Sequence, residues 1–79
     1  EQEFKLMRQY KFRLMLDVDQ CLAFYQGMYT DVVVQAENGQ TVQLPLRHFR
    51  PYISHAGVNA RFVLTLTDQG KFSSLEKIN

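Results

Sequence analysis

The stretch Leu44-Pro-Leu-Arg-His-Phe-Arg-Pro-Tyr-Ile-Ser-His-Ala-Gly57 decides which architecture the rest of the chain can adopt. It lies between two predicted β-hairpins and is the only long irregular connection between predicted strands. Its prolines remove backbone donors, so a continuous strand through it is excluded. It also lies within the longest run without aspartate or glutamate, residues 38–67. This stretch is therefore the first place where we expect a functional surface.

The composition is that of an ordinary globular domain. The 79 residues are 46% hydrophobic and 22% charged, which is enough apolar side chain for one core and too little chain for a second. No apolar run approaches the roughly 20 residues of a membrane-spanning helix. The formal net charge of +1 neither favours nor excludes a nucleic-acid partner. The single cysteine, Cys21, excludes an internal disulfide and favours a cytoplasmic protein.

Residues 1–6 are interpreted separately from the domain. Common cloning sites encode Glu3-Phe4 and Lys5-Leu6, and Met7 would be a natural start. Residues 1–6 are therefore interpreted as a cloning remnant or a disordered N-terminus. Residues 7–79 are predicted to form a single small α+β domain.

Hydrophobic periodicity predicts a strand and then a helix at the start of this domain. Apolar and polar residues alternate over residues 10–16, which is typical of a strand with one buried face. Asp17 and Gln20 can form a capping box for a helix over residues 17–26. The core-facing stripe predicted for this helix comprises Val18, Cys21, Leu22 and Tyr25.

A first hairpin is predicted after the helix. It comprises residues 29–37 and residues 41–44, joined at Asn38-Gly39, where both turn residues are expected to have positive φ. Residues 46–50 can then form one helical turn, which the following proline must end.

A second hairpin is predicted at the end of the chain. It pairs residues 61–67 with residues 71–78 around a loop at residues 68–70 that contains a glycine. Strict alternation fails in its last strand, so a bulge is expected near residues 73–74.

The predicted order of elements is β-α-β-β-turn-β-β, with antiparallel pairing inside each hairpin. The predicted fold class is α+β, either a small antiparallel five-stranded bent sheet or an SH3-like barrel, with one helix. The barrel is the first expectation. An open five-stranded sheet with the helix across it is the second.

Residue types that carry catalysis are present but are not grouped. Cys21 is predicted to be a core residue, because a thiol on the apolar stripe of a helix is inaccessible. His48 and His55 are separated by a proline, and no second cysteine or carboxylate-rich motif joins them to complete a metal site. The carboxylates are scattered, and no glycine-rich phosphate loop is present. We therefore expect no enzyme, no cofactor and no bound metal.

Basic and aromatic residues of the central stretch form the candidate partner-binding surface. Arginine forks match phosphate and carboxylate groups, and exposed aromatic rings can stack on bases. Two further cations are expected to join from the outward face of the first strand. The candidate residues are Arg47, His48, Arg50, Tyr52, His55, Arg61, Lys11 and Arg13.

Two functions fit this surface. The first is non-enzymatic protein interaction, including self-association, because a small core and uncovered strand edges favour pairing. The alternative is weak nucleic-acid binding through the arginine and aromatic residues. No membrane partner is expected. A third arrangement offers no surface: Phe49 and Tyr52 fill the interior while the arginines pair with Asp31, Glu37 or backbone carbonyls.

Over about residues 10–78 the sequence resembles a small proteobacterial family that is catalogued only as a domain of unknown function. The resemblance rests on Val42-Gln43-Leu44-Pro45, Phe49-Arg50-Pro51-Tyr52, His55, Gly57, Arg61-Phe62, Leu64-Thr65 and Lys71-Phe72-x-Ser74-Leu75-Glu76-Lys77-Ile78. It implies a short stand-alone bacterial protein with no established activity, so no catalytic residue is carried over. Family members read His-Asp-Gly where this chain has His55-Ala56-Gly57, and they have glycine where Ala60 stands.

Overall fold

A computed structural model describes residues 7–78 of the chain. The interpretation of residues 1–6 as a cloning remnant or a disordered N-terminus lies outside the described residues. The elements, in chain order, are β1 (Arg8–Leu16), α1 (Val18–Tyr25), β2 (Asp31–Gln35), β3 (Thr41–Pro45), a 3₁₀ helix (Leu46–Tyr52), β4 (Val58–Leu66) and β5 (Phe72–Lys77). A small α+β domain with antiparallel strands is therefore confirmed.

The strands form two sheets instead of the single one expected. β4 is the central strand of a three-stranded sheet in the order β1-β4-β5, and β2 and β3 form a separate two-stranded sheet. The backbone N–H of Glu37, in the β2–β3 loop, donates to the carbonyl of Lys11 in β1 at 2.7 Å. The hairpin thus meets β1 through its loop and not through a ladder. For this reason, residues 7–78 form neither a closed SH3-like barrel nor one continuous five-stranded sheet.

Three phenylalanines from different elements form the centre of the core. Phe12 of β1, Phe49 of the 3₁₀ helix and Phe62 of β4 are 0% exposed. The ring centroid of Phe49 lies 6.1 Å from that of Phe12 and 5.1 Å from that of Phe62, both edge to face. Leu14 and Leu64, which share the face of Phe12 and Phe62, are also buried. The alternation predicted for β1 and β4 is therefore confirmed.

α1 begins where the capping box predicts. The Asp17 side chain accepts a hydrogen bond from the Gln20 N–H at 2.8 Å, and the Gln20 side chain accepts one from the Asp17 N–H at 2.9 Å. Cys21 in the first half of the helix is buried and unpaired with another thiol, as expected for a core residue. Burial, and secondarily the Asp17 carboxylate, raises the pKa of the Cys21 thiol.

The buried face of α1 differs from the predicted one. Cys21 and Phe24 are buried, whereas Val18, Leu22 and Tyr25 are 50%, 51% and 50% exposed. The helix is only eight residues long, and it packs on the core along one narrow line of residues three apart. Three of the four residues predicted to face the core therefore lie largely in solvent.

The β2–β3 turn uses positive φ at one residue, not at two. Gly39 has φ +93°, whereas no residue other than glycine has positive φ in the described part of the chain. The Gly39 N–H donates to the Ala36 carbonyl at 2.9 Å, which closes the turn. The Asn38 side chain accepts from the Gln40 N–H at 3.0 Å, so Asn38 stabilises the turn through its amide and does not need the left-handed conformation.

The β4–β5 hairpin agrees more closely with prediction, although β4 begins earlier than expected. Gly70 in the loop has φ +85°. The register shifts between Thr65 and Leu66, which leaves Ser73 as the extra residue of β5. The bulge predicted near residues 73–74 is therefore confirmed.

The start of β4 lies against the end of β1 at Gly57. This glycine closes a tight turn with Ser54, in which each N–H donates to the other residue's carbonyl, at 2.9 and 3.0 Å. Its φ is +93°, and a Cβ atom there would overlap the carbonyl oxygen of Leu16 and lie 3.2 Å from the carbonyl carbon of Asp17. Only glycine therefore allows the two backbones to approach so closely.

We predict that Gly57→Ala lowers the free energy of unfolding by about 2–5 kcal/mol, because it combines left-handed strain with backbone overlap. Gly39→Ala is the matched control, since Gly39 also has φ +93° but has no atom within 4 Å of the position of a Cβ. It is expected to lower the free energy of unfolding by about 1–2 kcal/mol. Urea unfolding of both variants checks this, and equal losses for the two would contradict it.

Candidate functional site

The 3₁₀ helix positions the central group of candidate residues. It is seven residues long and continues through the second proline, where one turn ending before that proline was predicted. Leu46 and Phe49 are buried, whereas Arg47 and Arg50 are exposed. The Leu46 N–H donates to the Thr30 carbonyl at 2.9 Å, which joins the start of this helix to the entry of β2. Burial of one side of the 3₁₀ helix therefore directs its arginines outward.

Arg50 connects the 3₁₀ helix to the C-terminal end of α1. Its guanidinium carbon lies 5.5 Å from the ring centroid of Phe24 and 5.4 Å from that of Tyr25. Contacts of this kind are favourable by about 0.5–1 kcal/mol at exposed sites. At the N-terminal end of α1, the backbone of Gly57 lies against Asp17. Arg50 and Gly57 therefore contact α1 at its two ends.

His48 and Tyr52 of the 3₁₀ helix both contact the edge strand β5. The His48 ring stacks on the Phe72 ring with 3.9 Å between centroids and 7° between planes. The Tyr52 hydroxyl donates to the Leu75 carbonyl at 3.3 Å. Desolvation, and secondarily the charge of Arg47, lowers the pKa of His48. These two side chains therefore cover part of β5.

A second group of candidate residues lies on the three-stranded sheet. Arg61 donates two hydrogen bonds to the Glu37 carboxylate, at 2.8 and 3.0 Å. Arg13, which is directly opposite Arg61 in the β1–β4 register, donates to the Asn59 side chain at 2.8 Å. Lys11 is exposed on the same side of β1. Glu37 therefore neutralises the arginine that the sequence placed at the end of the candidate surface.

The candidate residues do not meet in one surface. The 3₁₀ helix packs on the sheet face that carries the buried phenylalanines, whereas Lys11, Arg13 and Arg61 alternate with core residues and lie on the opposite face. His55 is exposed in the turn at residues 54–57, apart from both groups. The acid-free run in the sequence therefore becomes two separate basic regions.

Tyr52, the ring predicted to bind a partner, and the neighbouring Phe49 both contact the interior of the protein. Phe49 is fully buried. Tyr52 is half-buried, and its ring centroid lies 5.2 Å from that of Phe62 in an edge-to-face contact. The arrangement in which these rings fill the interior, which the sequence left open as a third alternative, describes both of them.

Sequence reasoning missed an exposed apolar surface on α1. We call it the α1 surface: it comprises Val18, Leu22 and Tyr25, with Arg50 against Tyr25 at its C-terminal end. Sequence reasoning recognised that these residues are spaced i, i+4 and i+7, but it assigned them to the core. It overlooked Phe24, which forms a second apolar line on the helix with Cys21, three residues earlier. A short helix that packs on one side cannot bury both lines.

The described residues show neither a metal centre nor a membrane-spanning helix. Among residues 7–78, no three histidine, cysteine, aspartate or glutamate side chains lie close enough together to hold a metal ion. No helix in the same range is long and apolar enough to cross a membrane.

The structure defines the chain as a small α+β domain of two antiparallel sheets, one α-helix and one 3₁₀ helix. A scan against protein families matches residues 8–78 to the family described as "Protein of unknown function (DUF2835)". The chain belongs to this family, which confirms the resemblance to an uncharacterised domain family. A proteobacterial origin stays a prediction. No curated protein and no solved structure matched the chain.

We predict that Phe72→Ala raises the pKa of His48 toward its ordinary value. Stacking on Phe72 excludes water from the imidazole and so disfavours its cationic form. NMR titration of the His48 ring protons in the wild type and the variant measures this change. A decrease in the pKa would contradict the prediction, because it would mean that the face of the Phe72 ring stabilises the imidazolium.

The same contact makes stability depend on pH. Because the pKa of His48 is lowered in the folded state, the unfolded chain takes up the proton first as the pH falls below about 6.5. The free energy of unfolding therefore decreases as the pH falls through that value toward the folded-state pKa. Denaturant unfolding of His48→Gln across this range is expected to show a smaller decrease than the wild type, and an identical profile would contradict this.

Proposed function

We propose that the protein is a non-enzymatic protein-interaction module and that the α1 surface is its contact surface. The observation that carries the proposal is the half exposure of Val18, Leu22 and Tyr25. Residues at this spacing lie next to one another along one side of a helix. Burial of these apolar side chains against a partner would remove them from water, which favours association. Contiguous exposed apolar side chains are typical of interaction sites.

Arg50 and Tyr25 are the side-chain types that carry most binding energy in protein interfaces. The Arg50 guanidinium already rests over the Tyr25 and Phe24 rings, so little of its freedom remains to be lost when a partner binds. Two other predicted residues, Arg47 and His48, neighbour Arg50 on the 3₁₀ helix. The α1 surface therefore includes Arg50, one of the residues predicted from the sequence to bind a partner.

Several of the rings and cations that the sequence offered for nucleic-acid binding, the alternative, are engaged within the protein. A single-strand site needs exposed rings beside free cations. Phe49 is buried, Tyr52 packs on Phe62, and Arg61 is paired with Glu37. These contacts favour the protein-interaction hypothesis over the nucleic-acid one.

The proposal of a non-enzymatic role is supported by the state of the residues best suited to catalysis. Cys21 is buried and its thiol pKa is raised, which disfavours the reactive thiolate. The His48 ring is stacked on the Phe72 ring, and its pKa is lowered by desolvation and by the charge of Arg47. A cytoplasmic location is part of the proposal, because an unpaired thiol is typical of a reducing compartment.

We predict that the tagged protein captures a protein partner from bacterial lysate, treated with nuclease or untreated, and that Leu22→Lys removes most of the captured protein. A cation at the centre of the α1 surface would have to be desolvated on binding. Quantitative mass spectrometry of the captured proteins measures the loss.

Val33→Lys is the matched control, because Val33 is 60% exposed on β2 and lies outside the α1 surface. It is expected to capture the partner as the wild type does. Three results would contradict the proposal: capture that disappears with nuclease treatment, equal capture by the wild type and Leu22→Lys, or no specific capture at all.

A further inference from the structure

We propose that the β2–β3 hairpin closes onto β1, so that β2 pairs with β1 along its length and the two sheets become one. The first hydrogen bond of this pairing is present, because the Glu37 N–H donates to the Lys11 carbonyl at 2.7 Å. In the described part of the chain the pairing stops there, and β1 and β2 lie in different sheets. The observed arrangement is then the open one of two, and the hairpin is a flap that closes over the gap.

The backbone of β1 presents hydrogen-bonding groups on the side where the hairpin lies. Residues of an antiparallel strand direct their N–H and C=O groups alternately to its two sides. The Lys11 carbonyl points away from β4, since it accepts from Glu37. Arg13 and Met15, two and four residues further on, therefore also direct their backbone groups away from β4.

β2 presents a complementary row of groups. The Ala36 N–H donates to the Gln40 carbonyl at 2.7 Å, on the side of β2 that faces β3. By the same alternation, the backbone groups of Val33, Gln35 and Glu37 point away from β3. The Glu37 N–H, which reaches Lys11, agrees with this direction. Both edges therefore carry the donors and acceptors of a ladder.

The two rows are also in register. β1 and β2 run in opposite directions, because Glu37 lies at Lys11 whereas Val33 lines the same cavity as Leu16. Counted from the Lys11–Glu37 bond, each step of two residues forward along β1 matches a step of two residues back along β2. The next two pairs are Arg13 with Gln35 and Met15 with Val33. Closure therefore needs no shift of register.

A cavity marks the place where the strands separate. Its volume is about 270 Å³, and its lining includes Leu16 of β1, Val32 and Val33 of β2, and Leu46 of the 3₁₀ helix. Leu16 and Val32 are only half-buried. Protein interiors are close-packed, so apolar side chains beside a void lack contacts that they could make. Closing the flap narrows the cavity and buries these side chains further, which favours the closed form.

Two carboxylates oppose closure at the same end of the gap. The pair that follows in the register is Asp17 with Asp31. Asp17 keeps an extended backbone, with φ −80° and ψ 178°, so the alternation of side chains in β1 continues to it. Both residues are exposed, and closure would place them directly opposite each other on one face, where like charges are destabilising. The repulsion between them therefore holds the flap open.

Removal of one carboxylate tests the inference. Asp31→Asn keeps an oxygen that can accept from the Gln43 side chain, as the Asp31 carboxylate does at 2.9 Å, but it removes the charge. The ratio of closed to open molecules is expected to rise by about two- to fivefold in this variant. It is expected to rise further in Asp31→Lys, which places opposite charges together.

Two NMR measurements report closure. Relaxation dispersion of backbone amides gives the ratio of the two forms, since motions of this kind fall in the microsecond-to-millisecond range. The amides to follow are those of Arg13, Met15, Val33 and Gln35. In the closed form Leu14 and Val34 are opposite each other without mutual hydrogen bonds, with their Cα atoms about 4.5 Å apart. A nuclear Overhauser effect between their Hα protons is therefore expected in Asp31→Lys.

Asp19→Asn is the matched control. It removes an exposed carboxylate two residues after Asp17, but from α1 and outside the register, and it is expected to leave the ratio unchanged. Urea unfolding establishes that each variant is folded. The inference is overturned if the wild type and both Asp31 variants show neither the exchange nor the Overhauser effect. It is also overturned if Asp31→Asn and Asp19→Asn have the same effect on the ratio.

This inference goes beyond the proposed function and does not depend on it. Closure involves none of the residues of the α1 surface, so the NMR measurements and the capture experiment fail or succeed separately.

Discussion

The edge-to-face packing of Phe49 on both Phe12 and Phe62 is the interaction on which the rest of the structure depends. A 3₁₀ helix has weaker backbone hydrogen bonds than an α-helix, so side-chain burial must hold it in place. Here the edge-to-face contacts of Phe49 attach it to both β1 and β4. With that side fixed, Arg47 and Arg50 can only point away from the core. The orientation of the candidate functional residues thus follows from one buried ring.

The attached 3₁₀ helix joins parts of the fold that no strand ladder connects. Its histidine and tyrosine contact β5, whereas Arg50 reaches the rings at the end of α1. α1 itself buries only two side chains and leaves a line of three in solvent. In a domain with such a small core, that line is costly unless it is covered.

Features that depend on neighbouring residues were predictable from the sequence. Alternation identified the buried faces of β1 and β4, and the capping box of Asp17 and Gln20 identified the start of α1. The broken alternation near Ser73 identified the bulge in β5. One of the alternatives that the sequence left open also placed Phe49 in the interior. Each of these features is set by contacts within a few residues or by one period of hydrophobicity.

The sequence by itself therefore determined the elements, their order and, in β1 and β4, the residues that share a face. Tertiary structure alone decided what each face meets. On α1, two apolar lines were available, and packing buried Cys21 with Phe24. Arg61 forms an ion pair with Glu37, 24 residues away, because the β2–β3 loop that carries Glu37 packs against β1, the neighbour of β4. Periodicity fixes directions relative to one element, whereas burial and charge pairing depend on elements that are distant in the chain and close in space.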